Sequence, residues 1–142
     1  MPVRTADAVW NGNLLEGKGQ LKLGSGAFSG PYDWKSRSAD GPNANPEELL
    51  GAAHAGCFSM AFAHGLSLAG FTPTRIHTTA SVTFEKQGDG FAVTKIALVC
   101  EAQIPRIDNA AFQAQAKAAK ENCPISKALA SVPVTLEARL IV

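Results

Sequence analysis

Neither sign of charge dominates this chain: 13 lysines and arginines against 12 aspartates and glutamates leave a formal charge of +1 over 142 residues. That balance argues against nucleic acid or an anionic membrane as the main partner, since either would favour a basic excess. A long apolar run is also missing. The longest candidate, Leu49 to Leu68, is interrupted by glycine, histidine and serine, short of the roughly 18 apolar residues that span a bilayer. The opening MPVRTADAVWNG lacks an apolar core of about 7–15 residues, so no secretory signal is expected and a cytoplasmic location is. Cysteine is scarce, at three, and no C-x-x-C pair occurs. In that compartment the three are expected to be catalytic, metal-binding or core residues rather than structural disulfides. His54, Cys57 and His64 have offsets that fit no closed zinc site, so neither metal nor cofactor is expected.

What is present suits one globular domain over residues 1–142. Hydrophobic residues make up 46% and charged ones 18%, and a chain this long buries roughly two thirds of its unfolded surface without a disulfide or metal. Alternation of Ala6, Ala8 and Trp10, turn residues Asn11-Gly12-Asn13, then Leu21 and Leu23, predicts a strand pair. From Gly24 to Asn45 the composition is that of a long connection, with one short strand around Pro31–Trp34. Asn45-Pro46-Glu47-Glu48 is a helix start: a cap, a proline at the first position and acids at the positive end of the dipole. The helix runs to about Gly70 and is apolar almost all round, which predicts burial.

Ile76 to Phe84 and Ile96 to Ile104 alternate around a Gln87-Gly88-Asp89-Gly90 turn and predict a hairpin. Asp108 caps a second helix carrying Phe112, Ala116, Ala119 and Cys123 on one side; Pro124 restarts it, and Val134 to Leu140 forms a last strand. The fold class is α+β, with antiparallel sheets packed around a long buried central helix.

The cysteines are not equivalent. Cys100 alternates with Ile96, Leu98 and Ala102 on an apolar strand face and reads as core. Cys57 lies within the apolar helix, with His54 three residues before and His64 seven after; it is either another core cysteine or a reactive thiol beside Gly56, where the helix is thin. Cys123 precedes Pro124, and free N–H groups of a helix starting there would acidify it; alternatively it packs beneath Phe112 and Ala119. On physical grounds Cys123, not Cys57, is the more acidic thiol. A Cys57–His54 hydrolase dyad is disfavoured, because side chains three apart on a helix seldom hold nucleophile–base geometry and an oxyanion hole is hard to build mid-helix. His54 and His64 read as packing residues.

NPEELLGAAHAGCFSMAFA around Cys57, followed by ENCPISKAL around Cys123, resembles the OsmC/Ohr family. PYDWKSR, GFTPTRIHTTASVTFEK, GFAVTKIALVCEAQIP and the opening AVWNGNLLEGKGQ resemble its osmotically inducible OsmC branch, so the similarity covers nearly the whole chain. The resemblance implies an OsmC-like fold in an intertwined homodimer and a peroxidase active in oxidative and osmotic stress. It implies that Cys57 attacks the peroxide, that Cys123 resolves the product as a disulfide, and that Arg37, oriented by Glu47, activates the thiol. The Ohr branch carries its arginine in the first hairpin, and NGNLLEGKGQ has none. The implied partners are a hydroperoxide, organic ones before hydrogen peroxide, and a dithiol reductant such as a dihydrolipoyl carrier protein. The competing reading is a non-catalytic dimeric stress or ligand-binding protein of the same fold.

Overall fold

The computed structural model describes residues 1–142 and gathers them into two compact units, Met1–Leu49 and Leu50–Val142. The first unit is a three-stranded antiparallel sheet in the order β1-β2-β3, formed by β1 (Ala6–Asn11), β2 (Lys18–Leu23) and β3 (Ser29–Tyr32). Gly19 of β2 pairs with both Trp10 and Tyr32, and those two rings meet edge-on, 5.3 Å between centroids, over the space a side chain at Gly19 would fill. Trp34–Ser38 then forms a short helix, α1, inside the stretch expected to be connection. Its signal was Asp33, whose carboxylate accepts the Ser36 N–H at 2.8 Å and stands in for a missing helical acceptor. The helix α2, Pro46–Leu68, starts as expected: Asn45 Oδ1 caps the Glu48 N–H at 2.8 Å, and its amide donates to Glu48.

In the second unit, β4 (Arg75–Gln87), β5 (Gly90–Gln103) and β6 (Val134–Leu140) form a sheet in that order. The hairpin between β4 and β5 turns at Gly88, whose φ of +62° is costly for other residues. β6 runs parallel to β5, which corrects the expectation of antiparallel sheets throughout. The cause lies in the connection: α3 (Asn109–Asn122) and α4 (Pro124–Ala128) carry the chain back across the sheet, so it re-enters in the same direction. Asp108 caps α3 as predicted, accepting from Ala111 N–H at 2.8 Å.

Phe58, Phe62 and Leu66 of α2 join Ile96, Leu98, Cys100 and Ala102 of β5 and Phe112 and Ala116 of α3 in one core. Phe62 stands between Phe58 and Phe112, with centroids 5.7 and 5.5 Å away. The expectation that α2 is buried all round needs correction. One stripe (Gly51, His54, Phe58, Phe62 and Leu66) is buried, while Met60 and Leu68 are 76% and 78% exposed. A helix apolar on every side gives no cue to which side the chain itself covers. By length and composition α2 could also cross a membrane, which the count of uninterrupted apolar residues did not indicate; its aromatic stripe is instead packed in the core.

Deleting the ring at the centre of this cluster leaves a cavity that the sheet cannot close. Phe62→Ala is expected to destabilise the protein by about 3–5 kcal/mol, read from chemical denaturation.

Candidate active site

Arg37 and Glu47 meet within the first unit. Arg37 stands near the end of α1, where basic residues suit the negative pole, and Glu47 in the first turn of α2, where acids suit the positive one. Arg37 Nε donates to Glu47 Oε1 at 2.7 Å and Nη2 to Oε2 at 3.2 Å, a two-point clamp. Glu47 is 11% exposed and Arg37 36%, so the carboxylate is the more deeply anchored partner of the two.

The intervening loop is tied down by its own polar groups. Buried Asn45 donates to Ser36 O at 3.0 Å, and Asn43 donates its amide to Asp33 Oδ2 at 2.8 Å while its N–H bonds Ser36 Oγ at 3.0 Å. The Ser36 N–H, the Ser36 hydroxyl and the Asn43 amide, in that order, hold the Asp33 carboxyl below its usual range. Beside the guanidinium, Trp10, Leu14, Tyr32, Trp34 and Pro46 line a cavity of about 240 Å³.

The second unit holds the three free thiols. Cys100 is completely buried in the core opposite Thr78, as expected, and burial pushes its thiol up. Cys57, mid-α2, is half-buried at the edge of the core stripe. Cys123 ends α3 and caps α4: its sulfur is fully buried and accepts the Ser126 N–H at 3.5 Å, with Pro124 at the first helical position.

The two thiols influence one another, and their acidities diverge because of it. Burial pushes Cys57 up, and donating its proton to Cys123 pushes it further, against one favourable bond from the Ile125 N–H. Burial also works against the Cys123 thiolate, but the Cys57 S–H, the Ser126 N–H and hydroxyl and the Ile125 N–H together outweigh it and hold the thiol down. Cys123 is the more acidic sulfur, as the helix-start argument predicted. The donors themselves, Ile125 and Ser126, had been given no role in the sequence, although both lie inside ENCPISKAL.

The two histidines grouped with Cys57 in the sequence part company. His54 is fully buried, with Nε2 2.8 Å from Ser126 Oγ, and burial pushes its pKa down. His64 is exposed and, with Cys57, Met60, Ala61, Gln115 and Pro124, lines an open cavity of about 680 Å³. A largely apolar trough ending at one accessible sulfur, with a second sulfur buried nearby, leaves Cys57 open to an apolar molecule.

Burial is the main reason Cys57 retains its proton, and Cys123 as acceptor adds to it. With Cys100 also replaced by Ala, Cys123→Ala is therefore expected to shift thiolate formation at Cys57 to lower pH. Absorbance at 240 nm against pH reads the shift against the upper of the two transitions in the Cys100→Ala parent, the one that belongs to Cys57; a midpoint at or above that upper transition would disprove the donor–acceptor order.

The OsmC-like protein family model matches residues 39–137. Over 138 residues the chain is 44% identical to the peroxiredoxin OsmC of Escherichia coli strain K12, covering 96% of both chains, and equally so to that of Shigella flexneri. Among solved structures, the organic hydroperoxide resistance protein OhrB of Bacillus subtilis superposes with a TM-score of 0.71 at 27% identity, over 95% of this chain and 98% of that one. An OsmC-like protein from Mycoplasma pneumoniae, 13% identical, shares the fold at a TM-score of 0.79 over 99% of both chains.

Proposed function

Since the chain belongs to the OsmC family, on its osmotically inducible OsmC branch, we propose that this peroxidase reduces organic hydroperoxides through a Cys57 sulfenic acid and a Cys57–Cys123 disulfide. The observation that carries the mechanism is a half-buried thiol at the foot of an apolar trough whose acidity is linked to that of a second, fully buried one. Access and acidity point to different cysteines, and access decides. Cys123 has no exposed surface, so a peroxide meets Cys57 first, and Cys123, when ionised, is a base able to take the Cys57 proton.

The Cys57 thiolate attacks the nearer peroxide oxygen. The S–O bond forms, the O–O bond breaks, and the alkoxide leaves to be protonated as the alcohol. Cys123 then attacks the Cys57 sulfur: the S–S bond forms and hydroxide departs with the thiol proton as water. A dithiol, of which a dihydrolipoyl group on a carrier protein is the best match, exchanges with the disulfide and restores both thiols. In that exchange the acidic Cys123 is the better leaving group.

Arg37, clamped by Glu47, supplies the permanent charge that favours the Cys57 thiolate and the developing alkoxide. Glu47 is ten residues before Cys57, about 15 Å along a straight helix, so the guanidinium reaches the sulfur through its loop or from a second copy. We assign the second copy to the exposed stripe of α2, where Ala53, Gly56, Met60 and Leu68 present apolar surface that a soluble monomer rarely shows. Both units act as one domain in this reading; the family match, 39–137, runs through the boundary between them.

Purified protein is expected to consume cumene hydroperoxide with dihydrolipoamide as reductant, and Cys57→Ser to abolish turnover. Activity surviving that change would sink the mechanism. Glu47→Gln frees the guanidinium and is expected to lower kcat/KM about ten- to a hundredfold, the worth of a charge-assisted bond. Ala53→Asp places a charge on the face assigned to the second copy, away from the residues that line the trough, and is expected to give monomers in sedimentation together with loss of turnover. An active monomer would remove the second copy from the site.

A further inference from the structure

His54 is the polar member of an otherwise apolar stripe. Gly51, Phe58, Phe62 and Leu66 share its face of α2, and all are buried with it. A leucine or methionine would fill that position without a ring nitrogen to satisfy. The imidazole instead spends Nε2 on Ser126 Oγ, 2.8 Å away and 72 residues on, while Nδ1 is buried with no partner. Ser126 is the residue whose N–H bonds the Cys123 sulfur at 3.5 Å and whose hydroxyl also favours the Cys123 thiolate.

The tautomer follows from these bonds. A serine hydroxyl has one proton; if it points at the sulfur, its oxygen accepts from His54, so Nε2 carries the ring proton and Nδ1 is bare. The bare, unpartnered Nδ1 fits that assignment, and burial keeps the ring neutral.

We propose that His54 is a positioning residue for the resolving step: by donating from Nε2 to Ser126 Oγ it aims the Ser126 hydroxyl and N–H at the Cys123 sulfur. Directed so, the two donors stabilise the Cys123 thiolate and fix its position against Cys57 on the adjoining turn of α2. When Cys57 carries the sulfenic acid, that sulfur attacks, the S–S bond forms, the S–O bond breaks, and hydroxide leaves with the thiol proton as water. His54 touches neither peroxide nor the reacting sulfurs and acts only through Ser126. The inference rests on the two-cysteine reaction proposed above.

The test separates attack from resolution in stopped-flow with the full-length reduced protein and cumene hydroperoxide. Peroxide loss in the first turnover reads attack. Disulfide closure reads resolution, with the sulfinic acid at Cys57 under excess peroxide as a second readout by mass. In His54→Leu, attack is expected to stay within about twofold while closure slows about five- to tenfold, the worth of one lost hydrogen bond, and the sulfinic fraction rises. Ser126→Ala should reproduce this split, and the double variant should be no slower than either single one. His54→Gln, whose amide can still donate to Ser126, should restore closure to near the wild-type rate.

Closure at the wild-type rate in His54→Leu overturns the proposal, and so do two effects that multiply in the double variant. If His54→Leu does not fold, Ser126→Ala and His54→Gln carry the test: no slowing in the first, or slowing in the second as large as in the first, overturns it, and slowing in Ser126→Ala with His54→Gln near the wild-type rate supports it. A wild-type protein that consumes peroxide and forms no Cys57–Cys123 disulfide removes the two-cysteine reaction itself, a result distinct from unaltered closure in the variants.

Discussion

The packing of α2 by Phe58, Phe62 and Leu66 is the constraint on which the sulfur site depends. Each of these side chains contributes about 1.5–3 kcal/mol by leaving water, against about 1 kcal/mol for a neutral hydrogen bond or a cap. Burial therefore sets the rotation of the helix, and the polar groups take the positions that rotation leaves them. At about 100° per residue, with Phe58 turned inward, Cys57 falls at the edge of the core. His54, one turn earlier, points into it and Met60 points away. Turning the helix to bury Cys57 would expose the aromatic stripe, so the half-buried thiol is a by-product of where the phenylalanines sit.

The position of Cys123 is fixed from the other side of the core. Phe112, Ala116 and Ala119 seat α3, and the chain then breaks at Pro124, which cannot continue the backbone bonding of the preceding helix. Cys123 is left at the junction, ending one helix and capping the next. Its sulfur takes the role that a serine or aspartate oxygen plays in an ordinary cap, and so the start of α4 acidifies a thiol that has no surface at all. Two independent packing decisions bring one accessible sulfur and one acidic sulfur together.

Much of this was legible in the chain because periodicity carries it. The alternation from Ile96 to Ala102 set Cys100 aside, Asn45 and Asp108 marked two helix starts, and the Cys123-Pro124 step announced the acidic thiol. The resemblance supplied the pairing of Arg37 with Glu47, and the two side chains do meet. Helix α1 was missed because five residues are too few to show a period, and its cap, Asp33, lies in a stretch whose composition reads as loop. The parallel placement of β6 was missed for a different reason: strand alternation has no direction, and only the crossover through α3 and α4 reveals it. The role of Ser126 could not be read at all. Its partners are His54, 72 residues away, and a sulfur whose orientation exists only once both helices are packed.

The division of acidity between the sulfurs bears on why the proposed reaction needs an arginine. Within the second unit the proton rests on Cys57 and the negative charge is favoured on Cys123, the reverse of what attack on a peroxide requires. Moving that proton between two neighbouring thiols is a short transfer, but the thiolate must be made comparable in energy on the more accessible sulfur. A guanidinium bond to a thiolate is worth about 1.5–3 kcal/mol, roughly a ten- to hundredfold change in how the proton is shared between two sulfurs. That is the right size to tilt a pair already linked, and too small to acidify a lone buried thiol that had no neighbour able to take its proton. On this argument the Cys123 sulfur serves twice, as the proton acceptor before attack and as the nucleophile after it, and the clamp on Arg37 makes the first of those roles sufficient.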